Sequence, residues 1–126
     1  MHEVLPSTLA SVGAARRIVT RFAAELEVDL DGMALAVSEA MANAIAHGYP
    51  GDAAGIIDLS AGISPSEVTI TVRDHGCGLA DGSSPPGAGF GLMIIRRVAQ
   101  HVELTDTTDG VSLTMGFRRG GTWAER

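Results

Sequence analysis

An α+β fold of two layers is predicted by three features of the chain: two pairs of alternating strands, three helical stretches with apolar stripes, and a length that suits one core. Ile57, Leu59 and Ala61 alternate with polar or small residues, as do Val68, Ile70 and Val72, and Ser64-Pro65-Ser66 between them reads as a turn. A second hairpin is expected near residues 102–105 and 111–117, turning at Asp109-Gly110. With 126 residues, the chain is read as a single domain spanning 1–126, long enough for one two-layer core and too short for two.

The elements follow in order. Ser7 or Thr8 can cap a first helix in which Leu9, Val12, Val19, Phe22 and Leu26 fall at core spacing. Arg16 and Arg17 lie among them; one should flank the apolar stripe and the other face solvent, and solvated charge or stem packing accounts for both without a function. After the acidic turn from Glu27 to Asp31, a second capped helix runs over about 32–47, ends at Gly48 and cannot continue past Pro50-Gly51. Glu39, Asn43 and His47 are four apart and share one face of it, while Val37, Met41 and Ile45 form a roughly opposite stripe for a sheet to cover. Residues 79–86 are small, polar and proline-bearing, hence a loop. Gly87-Ala88-Gly89-Phe90-Gly91 then opens a third helix with Leu92, Ile95, Val98, Ala99 and Val102 at core spacing. The tail from Arg118 onward reads as basic and frayed.

Composition narrows the function. Nine basic against fifteen acidic residues give a net charge of −6, which argues against bulk attraction to nucleic acid or an anionic membrane. Any polyanion must be held by local groups. The single Cys77 excludes an internal disulfide and four scattered histidines give no zinc spacing, so a reducing cytoplasm is expected. No transmembrane run is present, and Met1 to Ser7 does not read as a secretory signal.

Gly87, Gly89 and Gly91 sit just before a helix, where free amides and the positive end of the helix dipole favour phosphate; a flexible connector is the bland alternative. No βαβ unit follows and no Lys-Ser/Thr ends the run, so it is neither a dinucleotide fingerprint nor a Walker loop. Asp74 ends a strand beside Gly76 and Gly78, so its carboxylate could accept a hydrogen bond from an exocyclic amine or cap its own turn. A mid-helix Glu39 is ordinarily solvated, but Ala36, Ala40 and Ala44 leave little polar surface around it. His47 reads as a helix-end dipole partner and Cys77 as a filler of small space.

Taken in order, Glu39-x-x-x-Asn43-Ala44, Asp74-x-Gly76-x-Gly78 and Gly87-x-Gly89-x-Gly91 resemble the N, G1 and G2 boxes of the GHKL ATPase superfamily, which includes gyrase, MutL and sensor histidine kinases. The run from Val37 to Ala44 with His47-Gly48-Tyr49 looks like the anti-sigma factor serine kinases of bacterial sporulation and general stress control. The resemblance implies a GHKL-type two-layer α/β sandwich, with a mixed, mostly antiparallel sheet and three helices on one face. It implies ATP and Mg²⁺ as cofactors, with Asn43 binding the magnesium and Glu39 as general base for the serine hydroxyl or water that attacks the γ-phosphate. Asp74 would accept the adenine amino group, Gly76 and Gly78 would belong to the base pocket, and Gly87, Gly89 and Gly91 would wrap the phosphates. Arg16 sits where the family places an arginine that touches the sigma factor and its anti-anti-sigma antagonist.

Two departures stand out. The segment between Gly78 and Gly87, the implied ATP lid, is shorter than is usual in these kinases and has no basic or threonine residue. Where the family's last strand often offers a threonine near the adenine, Gly110 is followed by Val111 and then Ser112, and that role is not carried over. The implied function is a cytoplasmic serine protein kinase and anti-sigma factor that phosphorylates an anti-anti-sigma protein. The alternative is a nucleotide-gated anti-sigma binding protein with little catalysis. Homodimerisation is typical of the resembled kinases, though no exposed apolar stripe establishes it from the residues.

Overall fold

Alternation along the chain becomes a five-stranded sheet of order β1-β2-β3-β5-β4, overlaid by helices that carry the apolar stripes. The computed structural model describes residues 1–48, 55–76, 88–107 and 109–120. The elements are β1 (His2–Pro6), α1 (Ala10–Phe22), α2 (Leu30–Gly48), β2 (Ile56–Ile63), β3 (Glu67–Asp74), α3 (Ala88–Val98), β4 (His101–Thr107) and β5 (Gly110–Arg118). Every described strand pairing is antiparallel.

The register gives the sheet two chemically distinct faces. Leu59, Val72 and Leu113 lie in one cross-strand row, and Ile70 pairs with Met115 and Val68 with Phe117 in the next two, so all these buried residues face the helices. The opposite face is polar, with Thr71 and Thr114 joined through their hydroxyls at 3.1 Å. Helix α2 packs on β3 and β5 and against both α1 and α3. Val37 and Met41 are fully buried and Ile45 partly so, as the expected stripe requires. Ala36, Ala40 and Ala44 are buried as well, so the apolar side of α2 is wider than that stripe.

Several boundaries differ from the sequence expectation. His2–Pro6 forms edge strand β1 along β2, an element that short and exposed segment did not announce. Helix α1 begins after Leu9, without a side-chain cap from Ser7 or Thr8, and Leu9 is 78% exposed rather than in the core. Ala15, Val19 and Ala23 are the buried apolar residues of that segment, and Leu26 reaches the core from beyond the helix end at Phe22. Arg16 and Arg17 are both exposed.

Helix α2 starts two residues before the expected Gly32, because Asp29 supplies the cap: its Oδ1 accepts the Gly32 N–H at 2.9 Å. The tail is not frayed through Gly120. Arg119 Nη1 donates to the Ser64 carbonyl at 2.7 Å, and the Arg119 and Gly120 amides donate to the Ser66 and Glu27 carbonyls at 2.8 Å each.

On the polar face Asp58 is held from two sides, by His2 Nε2 donating to Oδ1 at 2.8 Å and by His75 Nε2 donating to Oδ2. The His75 hydrogen bond, aided by His2 and opposed by partial burial, holds the Asp58 carboxyl below the usual carboxylate range. A depressed folded value means that this stabilisation is complete above the unfolded pKa, and is lost as pH falls through the folded one, hence below about pH 4. Urea titrations across pH 2.5–6 should therefore show wild type losing stability on acidification more steeply than Asp58→Asn. At the centre of the sheet, fully buried Ile70 changed to alanine should lower unfolding free energy by about 2–5 kcal/mol. Val4→Ala, at a side chain 51% exposed, should fall within about 0.5 kcal/mol of wild type in the same denaturation experiment.

Candidate functional site

Helix α2 presents Glu39 and Asn43 one turn apart, both partly buried beside the fully apolar side of the helix. Asn43 lies on the side that meets α3. A Cβ built on Gly91 would fall 2.8 Å from Asn43 Nδ2 and 3.2 Å from Oδ1, closer than a side chain there could sit without moving the amide. Glycine at 91 therefore lets the first turns of α3 approach the Asn43 side chain directly. Gly89 and Gly91 lie inside α3 rather than before it, which starts at Ala88. The Gly89 amide is in the first turn of α3, where N–H groups lack intrahelical acceptors, whereas Gly91 is the fourth helical residue and the first whose amide can bond within the helix.

Asp74 ends β3 and is 2% exposed. Its Oδ1 accepts the Gly76 N–H at 3.0 Å and the Val111 N–H at 3.3 Å. The first bond is the local turn cap that sequence reasoning set beside the ligand role; the second comes from the start of β5. Gly110 precedes it with φ +131, and a Cβ there would lie 2.1 Å from the Asp74 carbonyl oxygen. Two backbone donors thus partner Oδ1 of this nearly sealed side chain, so that oxygen is not buried unpaired.

The described structure thus joins the expected residues in two groups, Asn43 with Gly91 and Asp74 with Gly76. Arg16 belongs to neither group; it is exposed on α1. Gly78, Gly87, the loop 79–86, Cys77 and Tyr49 lie outside the described residues, as does the side chain of His47. Ser112 sits in β5 opposite Arg73 and Thr105. Sequence reasoning treated Gly110 only as a turn and did not foresee its contact with Asp74, which links positions 36 residues apart. The departure noted at Val111 was the available signal, since it drew attention to this strand start. A cavity of ≈ 350 Å³ lined by Glu67, His101, Arg118 and Arg119 among others lies at the other end of β3 and contains none of the expected site residues.

The described residues contain no cluster of three or more His, Cys, Asp or Glu side chains able to hold a metal ion. The Asn43 side-chain oxygen is a hard donor of the kind a magnesium ion takes.

The model of the histidine kinase-like ATPase domain matches residues 5–117. The chain belongs to that family. Membership bears out the GHKL resemblance drawn from the three boxes. This histidine kinase-like ATPase domain is 38% identical over 82 residues to the anti-sigma F factor of Anoxybacillus flavithermus, covering 63% of this chain and 56% of that protein. It is 41% identical over 70 residues to the anti-sigma F factor of Clostridium perfringens, covering 53% and 50%. The chain thus spans about half the length of the curated relatives it matches. Among solved structures, the RsbU and RsbW domains of Rv1364c from Mycobacterium tuberculosis align with a TM-score of 0.76 at 22% identity, covering 97% of this chain and 33% of theirs. The histidine kinase domain of the Erythrobacter litoralis EL346 blue-light activated histidine kinase aligns with a TM-score of 0.58 at 17% identity, over 86% and 63%. Both likenesses support the α+β two-layer fold. Among the described residues, no helix is long and apolar enough to cross a membrane.

Because the atoms nearest a Cβ at 91 are the end of the Asn43 side chain, Gly91→Ala should leave the fold standing and turn that amide aside. The check is the Asn43 side-chain NH₂ signal in a ¹⁵N-correlated spectrum, which should shift while most backbone signals keep their positions.

Proposed function

We propose that this chain is an ATP-dependent serine protein kinase and anti-sigma factor, which phosphorylates an anti-anti-sigma protein and sequesters a sigma factor in the cytoplasm. Residues 1–126 act as one ATP-binding kinase domain in this reading. The observation that carries it is Glu39 one helical turn before Asn43, whose amide meets the glycine-bearing start of α3, in a family of ATPase domains. Similarity to anti-sigma F factors supports the choice of a sigma factor as client; the anti-anti-sigma substrate and its serine follow from the resemblance of the boxes.

Asn43 offers its side-chain oxygen to Mg²⁺, and the early amides of α3, with Gly87, Gly89 and Gly91, hold the phosphates. Bound magnesium supplies neutralisation of charge on the phosphate oxygens. Asp74 accepts the adenine amino group at the other end of the nucleotide, where Gly76 and Gly78 line the base. Glu39 takes the proton of the serine hydroxyl as its oxygen bonds to the γ-phosphorus and the bond to the ADP oxygen breaks. Exposed on α1, Arg16 is free of the nucleotide groups and suits contact with a partner's acidic surface.

A second reading, nucleotide-gated sigma binding with little turnover, is favoured by the short segment 79–86, which carries no basic or threonine residue with which to enclose a triphosphate. The two readings separate in one experiment. With a cognate anti-anti-sigma protein and γ-labelled Mg-ATP, wild type should transfer phosphate to serine, and Glu39→Gln should be slower by about 10²–10⁴ while still binding ATP. If wild type transfers no more than Glu39→Gln, the kinase reading falls; ATP-dependent capture of a sigma factor without transfer would select the gated binder.

A further inference from the structure

We propose that the β4–β5 turn is a clamp that aims the Asp74 carboxylate, with Gly110 and Val111 as positioning residues for adenine selectivity; this rests on Asp74 being the adenine acceptor. Gly76 alone would hold the carboxylate through a bond two residues away, which moves with the 74–76 segment. The Val111 N–H instead ties Oδ1 to β5, one position beyond the last β3–β5 pair, Arg73 with Ser112. The ladder ends there by handing a strand amide to a side chain in place of a backbone carbonyl.

Gly110 makes that handover feasible. Its φ of +131 lies where side chains are rarely accommodated, and a Cβ would come within 2.1 Å of the Asp74 carbonyl oxygen and 3.1 Å of Oδ1. The turn is itself tied, since Thr107 Oγ1 donates to the Gly110 carbonyl at 3.0 Å and accepts the Asp109 N–H at 3.2 Å. With Oδ1 bound from two directions, rotation of the carboxylate is fixed, and so is the direction in which Oδ2 can meet an exocyclic amine. Val111 contributes this donor from its backbone, so the tie does not depend on its side chain.

The test uses ATP and ITP, which differ at the base by an amino group against a carbonyl oxygen, and measures both affinities calorimetrically for the full chain. Wild type should prefer ATP, and Asp74→Asn should lose the preference. An ester in place of the Gly110–Val111 amide removes the single N–H without adding an atom to the pocket. It should lower the ATP/ITP ratio by about tenfold, the scale of one hydrogen bond to a charged group, with ITP affinity little changed. Gly110→Ala, where it folds, should do the same. If the ester chain keeps the wild-type ratio while Asp74→Asn loses it, the clamp is overturned and Asp74 remains the adenine acceptor. An equal fall in both affinities also overturns it, by making the turn merely structural. If wild type shows no preference, or Asp74→Asn leaves it unchanged, both the clamp and the underlying role of Asp74 fail.

Discussion

Helix α2 has to meet four neighbours and still keep part of its surface for polar chemistry. It lies on β3 and β5 and packs against α1 and α3, which its buried alanines allow by keeping the helix narrow. The remaining arc is where Glu39 and Asn43 can be held in fixed directions without being sealed in. Placement of the two polar groups is thus a by-product of how the core is filled. A larger residue at Ala40 or Ala44 would move the helix and with it both side chains.

Much of this was legible because it is periodic. Strands β2, β3 and β5 bury alternate residues on one side, and α2 has both a stripe and a stop signal, so each could be read locally. β1 could not, since an edge strand with one partner and mostly exposed side chains has no apolar rhythm to display. Leu9 misled for the opposite reason: its spacing is right, but it falls at the cap, outside the packed length of α1. The end of β5 was misjudged because its anchors are carbonyls of distant turns, at Glu27, Ser64 and Ser66, which no composition reveals.

The site shows the same division. Boxes recurring in order single out Glu39, Asn43, Asp74 and the glycines as candidates, and the structure brings Gly91 to Asn43 and Gly76 to Asp74. What the order of boxes does not contain is which glycine is needed for which contact. Gly91 serves the Asn43 amide and Gly110 serves Asp74, and both needs arise from atoms far away in sequence. Such positions are read only from the folded chain, because their requirement is for empty space, which leaves no signature in neighbouring residues.

The hydrogen bonds that fasten Arg119 and Gly120 have a mechanical consequence. They sew the α1–α2 connection and the β2–β3 turn to the last strand, at the end of β3 away from Asp74. The Gly120 amide thus ties the helical layer to the sheet at this end, while the short β1–α1 connection joins them at the end where Asp74 lies, so the two layers are fastened at both margins and Asp74 sits in a frame rather than at a free edge.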